Sequence, residues 1–448
     1  MGLFPDALHI CTYDVRGTLL ATGTAKPVRE TGLVTHTHQL LRGLAERHPG
    51  MRLAVTQTGA AEPGAAVSLL TPEGVQADLR YIATRFPQLQ GPSGAKDKLL
   101  VRRWYEERID DPGNPVWRSL AEQYAKVIRD AGIADLLLQN INPITGVLKA
   151  QEMGLLGDVR LTGVVHDAVD AEHRFRYLAR RMSEDTAGLT LIAVSESVRQ
   201  TLLSAGVPAS RVRTVHNGLD LGNFEARLRH AREAEVFGRV RDRNWLYSGS
   251  RIVLVSARRV PWKGHEDVIR AAARLKERGV LEDTIVVMNG AGLVDSRCPG
   301  YEAELARLIT KLGLSGRVVL LDALSPEEVA SCYAAAHVAV HPSREPEPFG
   351  YANIEAMLAG VPVIAAGHGG PLEYIDDEIS GLLVPPGSPV AIAAALERVL
   401  NDDALHDRLA RAGRASAERF TLDAMVDGYE AVLTAAAASP VAEGAGAR

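Results

Sequence analysis

Short apolar runs alternate with stretches of helical period along most of the chain. In the first half, Leu8–Tyr13, Arg52–Thr56, Ala134–Leu138, Leu161–His166, Leu189–Val194 and Arg211–Val215 have strand length and strand composition. Between them, Leu33, Leu40, Leu41 and Leu44 share one helical face, with Arg42, Glu46 and Arg47 opposite. Further helices are predicted over 97–132, broken at Asp111-Pro112-Gly113, over 144–153, and over 197–204 with Ser195 as its N-cap. Residues 57–100, rich in Gly, Pro and Ala, give no clear period. In the second half, strands at Ile252–Ser256, Thr284–Met288, Val318–Leu321, Val338–Val340 and Val361–Ala366 alternate with helices. Those helices are predicted over 264–278, 301–312, 326–335, 351–359, 390–400, 404–419 and 422–436.

Strands alternating with helices of about 10–15 residues predict parallel sheets in an α/β fold. Two such series predict two Rossmann-like domains with their parallel sheets facing a central cleft. The expected boundaries are 1–220 for the first domain and 251–420 for the second. The charge-rich stretch 221–250 is expected as a connector with some helix, 421–436 as a terminal helix, and the Ala/Gly tail 437–448 as disordered.

Composition narrows the class. The 448 residues are 46% hydrophobic and 23% charged, with a net charge of −5. That balance gives no reason to expect nucleic acid as a partner, because phosphate-backbone binding needs clustered positive charge. The longest apolar runs, six or seven residues, fall far short of the roughly 20 that span a bilayer. No basic amphipathic helix suggests stable membrane anchoring. Three scattered cysteines, Cys11, Cys298 and Cys332, argue for a reducing compartment and against a disulfide framework or zinc site. Met1–Asp6 leads into a strand without a basic-then-apolar leader pattern. The expectation is a cytoplasmic protein, and a homodimer is compatible with it.

Candidate chemistry concentrates in His341–Gly387. Glu347 lies in a polar loop before a predicted helix, Glu355 lies eight positions on, and Gly367, Gly369 and Gly370 mark a tight turn. Exposed N–H groups at a helix start favour phosphate, whereas a carboxylate accepts both O–H donors of a diol. Phosphate-binding backbone flanked by diol-binding acids describes a site for a nucleotide sugar. Arg258 and Lys263, five residues apart after a strand, form a cationic pair suited to a diphosphate. His166-Asp167 ends a strand on the side where open α/β sheets bind ligands, and Gly32 stands at a strand-loop-helix junction.

In this order the motifs resemble the retaining glycosyltransferases of family 4, which have the GT-B fold. The resemblance covers roughly residues 8–435. It runs through Gly32 and His36 in GLVTH, His166-Asp167, AVSESVRQTLLSAGV at 193–207 and VHNGLDLGNF at 215–224. ARRVPWKG with Arg258 and Lys263, EPFGYANIE with Glu347 and Glu355, and GHGGPLEYI at 367–375 complete it. By that resemblance Glu347 contacts donor-sugar hydroxyls and Glu355 the ribose diol. Arg258 and Lys263 hold the diphosphate with backbone N–H groups of Gly32 and of the turn Phe349, Gly350, Tyr351, Ala352 and Asn353. His166 lies near the transferred sugar, and the terminal helix returns to the first domain. The implied reaction moves a sugar from a nucleoside diphosphate to an acceptor with retention, and no metal or other cofactor. One departure concerns the base: where relatives usually carry Gly, Asp322 stands after the strand at 318–321. A carboxylate there suits the N–H edge of guanine, so a GDP-sugar is expected ahead of a UDP-sugar. The acceptor is expected to be a small soluble molecule from a natural-product, thiol or cyclitol pathway. Arg16, Arg29 and Asp167 are its candidate contacts, with Arg102, Arg103, Trp104 and Tyr105 in a second long loop. The competing expectations are another GT-B enzyme, such as a sugar-nucleotide epimerase, and a non-catalytic nucleotide-sugar binder.

Overall fold

The structure, a computed structural model, describes residues 4–12, 32–59, 66–70, 76–84, 86–91, 97–157, 159–167, 171–184, 188–244, 246, 249–290, 298 and 300–438. The chain divides into two compact units, one formed by Met1–Gly218 with Leu422–Arg448 and the other by Leu219–Thr421.

The first unit is built on an eight-stranded sheet. Its strands are β1 Ala7–Thr12, β2 Arg52–Gly59, β3 Ala66–Leu70, β4 Gln76–Ala83, β5 Asp135–Gln139, β6 Arg160–Val165, β7 Leu189–Ala193 and β8 Val212–Thr214. They lie in the order β3-β4-β2-β1-β5-β6-β7-β8. All pair in parallel except β3, which runs antiparallel along β4 at the edge. The second unit carries six parallel strands, β9 Arg251–Ser256, β10 Thr284–Asn289, β11 Val318–Leu320, β12 Val338–His341, β13 Val363–Ala366 and β14 Leu382–Val384. Their order is β11-β10-β9-β12-β13-β14. The central strands are apolar on both faces because helices cover both; every residue of β10 and of β12 is buried.

Strand order locates the functional edge. In the second unit the chain leaves β9 to one side for β10 and β11, then returns to the other side for β12. In the first unit the same reversal separates β1 from β5. Open α/β sheets bind ligands beyond the carboxyl ends of the strands at such reversals. The loops after β9 and β12 in one unit, and after β5 and its neighbour β6 in the other, are therefore in ligand-binding positions.

Several expectations need correction. The helix expected within the connector is two helices, Leu221–Glu233 and Val236–Arg243, and they belong to the second unit instead of standing between the two. Phe224, Leu228 and Ala231 form a buried stripe at helical spacing, which the surrounding arginines and glutamates conceal in a composition count. The helix Glu172–Ser183 was hidden in the same way, with Phe175, Leu178, Ala179 and Met182 buried among arginines. Strands β3 and β4 lie in the Gly-, Pro- and Ala-rich stretch that shows no clear period. The terminal helix runs over Leu422–Ala438, so residues 437 and 438 continue it; the remainder of the expected tail, 439–448, lies outside the described residues.

That helix packs against the helix Gly32–Arg47 within the first unit. At Gly43 a Cβ atom would come within 2.5 Å of Val426 Cγ2, so the absence of a side chain sets the approach of the two helices. Arg47 then fans across the terminal helix, pairing with Asp423 at 2.9 Å and Glu430 at 3.3 Å, and His48 meets Glu430 at 2.9 Å. The Asp423 partner is exposed and the two pairs to Glu430 are only part-buried, so each contributes little; the close packing carries the contact. Gly43→Val is expected to lower stability by about 1–3 kcal/mol through overpacking, read from urea unfolding, and an unchanged midpoint would refute the close contact.

Candidate functional site

In the second unit, the loop after β9 and the loop after β12 deliver opposite charges to one point. Lys263 closes the short 3-10 turn Pro261–Lys263. Its Nζ pairs with Glu347 Oε2, and both side chains keep only about 15% exposure (15% and 16%). Ser343 Oγ donates to the same oxygen at 2.9 Å. The strand-like pairing of Glu347 with Gly369 ties this loop to the turn after β13, and Gly370 N–H donates to Glu347 C=O at 2.7 Å. Gly369 has φ 72°, and a Cβ there would collide with the Glu347 backbone. The glycine turn thus fixes the backbone that aims the acid. Burial acts to raise the Glu347 carboxyl, and Lys263 with the Ser343 hydroxyl outweighs it, so the group sits below its ordinary range.

Arg258 is half-buried, with its guanidinium 5.9 Å from the Trp262 ring centroid, and Lys263 Nζ lies 4.1 Å from the same ring. One indole therefore holds both cations of the expected pair. Its neighbour Arg259 is buried; its Nη2 donates to Met288 C=O at 3.0 Å and also to Leu321 C=O. Arg259 ties together the ends of β10 and β11 and pairs with Glu302 at 2.6 Å. The next residue after Leu321, Asp322, is exposed.

The helix Tyr351–Leu358 carries Glu355, whose Oε2 accepts from the Tyr333 hydroxyl at 2.8 Å. Tyr351 and Ala352 are half-buried at its start. Phe349 and Asn353, expected as donor contacts, direct their side chains into the core. Phe349 packs edge-on against Tyr351, Tyr374 and Phe420, and Asn353 donates to the Tyr374 hydroxyl at 2.9 Å. What these two residues, with Gly350, can offer a ligand is backbone. Sequence reasoning missed Ser343, Tyr333, Trp262 and the buried His341. Only Ser343, four residues before Glu347, had a spacing that could have drawn attention.

In the first unit, His166 directly follows β6 and its Nε2 lies 2.7 Å from Gln139 Oε1. Its ring stands edge-on to His36 at 4.5 Å between centroids. His36 Nε2 is 3.0 Å from the Tyr429 hydroxyl of the terminal helix. Burial, and then the neighbouring His36, holds the His166 imidazole well below its ordinary value, so it is neutral. Asp167 is half-buried beside it, and Gly32 opens the helix Gly32–Arg47. Arg16 and Arg29 lie outside the described residues. Arg102 is exposed and pairs with Glu107 at 3.2 Å, and exposed Arg103 lies over Trp104 at 5.6 Å. Tyr105 stands edge-on against the buried Trp117.

With these positions established, known proteins give the family. Residues 31–223 match the family described as Glycosyltransferase Family 4, and residues 238–416 match the one described as Glycosyl transferases group 1. Between them the two matches give the chain the two domains of a family 4 glycosyltransferase. An uncharacterised glycosyltransferase of Methanocaldococcus jannaschii is 30% identical over 261 residues, covering 58% of this chain and 60% of that one. A D-inositol 3-phosphate glycosyltransferase of Corynebacterium diphtheriae is 37% identical over 183 residues, covering 41% and 42%. The matched region spans about half the length of such relatives. Among solved structures, Anabaena HepE in complex with UDP and glucose superposes with TM-score 0.64 at 19% identity, covering 95% of this chain and 99% of that one. A trehalose-phosphate synthase of Burkholderia xenovorans gives TM-score 0.74 at 14% identity, covering 95% and 99%. The fold of the chain is GT-B. Among the described residues, no helix is long and apolar enough to cross a membrane.

Buried neutral histidines give the second unit an acid limit. Burial, then Lys263, pushes His341 down to about 3, and burial pushes His265 down to about 4. Because the unfolded chain binds these protons near pH 6.5, stability is full above that pH and is lost as pH falls toward the folded values. Each fully buried histidine is expected to cost roughly 2 kcal/mol at pH 5. His341→Leu reduces the loss between pH 7 and pH 5 in urea unfolding; an unchanged slope would contradict a buried neutral His341.

Proposed function

We propose that the chain is a retaining, metal-independent glycosyltransferase that moves a sugar from a nucleoside diphosphate sugar to a small soluble acceptor. The observation that carries this is the Lys263–Glu347 pair at the strand-order reversal of the second unit, with Arg258 on the same indole. When a donor binds, Lys263 and Arg258 take the diphosphate and neutralise the charge that develops as it leaves the anomeric carbon. Glu347, released from Lys263 and still held by Ser343, accepts hydroxyls of the sugar. Glu355 accepts the ribose diol. His166, neutral and oriented by Gln139, meets the transferred sugar as a hydrogen-bonding group and not as a cation. Retention follows from family membership. An epimerase or a non-catalytic binder has no observation in its favour.

The base favoured is guanine. Asp322 is an exposed carboxylate at the end of β11, and its two oxygens match two adjacent N–H donors of guanine, where uracil offers one. A second reading, a UDP-sugar donor, is supported by the UDP bound to HepE. For the acceptor, the name of the Corynebacterium diphtheriae relative makes an inositol phosphate the first compound to try, consistent with a cyclitol or thiol pathway.

Calorimetric titration separates the two bases: GDP binds more tightly than UDP, and Asp322→Ala weakens GDP by about tenfold while sparing UDP. Tighter UDP binding that ignores Asp322→Ala overturns the guanine assignment. With donor and acceptor in hand, Glu347→Ala and Lys263→Ala each lower kcat by about 100- to 1,000-fold. Near-normal turnover in both would remove the site from the second unit.

A further inference from the structure

Tyr333 is a fully buried tyrosine on the helix Pro326–Ala335, outside all of the expected motifs. Its hydroxyl reaches the edge of the site and donates to Glu355 Oε2 at 2.8 Å. Ser256, the last residue of β9, lies beside the same hydroxyl. Three elements therefore converge on one oxygen atom: the end of the central strand, the helix that carries Glu355, and the helix that carries Tyr333. The tyrosine is itself held from behind. Phe224, on the helix Leu221–Glu233, stands edge-on to its ring at 6.4 Å. Helix 326–335 begins with a capping box between Ser325 and Glu328, and Glu328 pairs with Arg243 at 2.8 Å. The helices of residues 221–243 thus brace the tyrosine.

A carboxylate that is to accept both hydroxyls of a vicinal diol needs its plane fixed, because each O–H bond is directional and a freely turning acid offers one good acceptor at a time. A phenol at 2.8 Å fixes one oxygen of that plane. Burial, and then the Glu355 charge, holds the Tyr333 hydroxyl well above its ordinary value, so it remains a donor at any working pH. A packing role alone would be met by phenylalanine; the hydroxyl is the part that packing does not require.

We propose that Tyr333 is a positioning residue for Glu355, and that the Tyr333–Glu355 hydrogen bond sets the preference of the donor site for a nucleotide with an intact ribose diol. This rests on the assignment of Glu355 to the ribose made above. The test is calorimetric binding of GDP and UDP and of their 2′,3′-dideoxy analogues to the wild type and to Tyr333→Phe, Glu355→Ala and Phe224→Leu. The wild type is expected to prefer ribose by about tenfold or more, the worth of hydrogen bonds to a charged group. Glu355→Ala removes that preference. Tyr333→Phe reduces it by about fivefold, with affinity for the dideoxy analogue held within about twofold of wild type. Phe224→Leu lowers the melting temperature and keeps the preference.

If Tyr333→Phe retains the full preference while Glu355→Ala loses it, the proposal is overturned and the ribose assignment stands. Preference retained in Glu355→Ala, or absent in the wild type, overturns the ribose assignment and the role of Tyr333 with it. Equal weakening of both nucleotides by Tyr333→Phe, or a loss of preference in Phe224→Leu as large as in Tyr333→Phe, assigns the effect to packing and also overturns the proposal.

Discussion

An acid and a base held together with little water at the end of a parallel sheet organise the second unit. Lys263 arrives from β9 and Glu347 from β12, the two strands between which the strand order reverses. Removing one partner of a buried pair leaves an uncompensated charge, so the loops that carry them are constrained to meet. The surrounding features serve that meeting. Ser343 shares the acid, Trp262 lies under the base, and the Gly369–Gly370 turn holds the Glu347 backbone. A pair satisfied in this way can exchange partners: phosphate is a competing anion for Lys263, and sugar hydroxyls are competing donors for Glu347.

The first unit solves a different problem, presenting a neutral histidine at a strand end. His166 is fixed by Gln139 on one side and faces His36 on the other, and His36 is held by Tyr429 from the terminal helix. The last helix of the chain is therefore part of the setting of a residue more than 250 positions earlier. Its docking depends on the close approach at Gly43, so a backbone contact without side-chain chemistry supports a candidate site residue.

Most of the fold was legible because the two parallel sheets impose a strong signal, short apolar strands between amphipathic helices. The helix Pro326–Ala335 has the bounds its pattern predicts, and Ser195 caps its helix by accepting from Val198 N–H at 3.1 Å. Legibility failed where polar residues outnumber a narrow buried stripe, as in 172–183 and 221–243, and at the edge hairpin of β3 and β4. For the site, the acids and cations stood out because charged residues at strand ends are uncommon without a task. Ser343, Tyr333 and Gln139 did not, since a single hydroxyl or amide has no periodicity and its meaning depends on which strand end it reaches. Phe349 and Asn353 show the converse, motif residues whose side chains serve the core.

If the strand ends of the second unit hold the donor, a crystal structure with a nucleoside diphosphate bound will show it. Lys263 Nζ is then expected on a phosphate oxygen instead of on Glu347, Arg258 on the same diphosphate, and the ribose hydroxyls on Glu355. A nucleotide bound elsewhere, with the Lys263–Glu347 pair still closed, would contradict it.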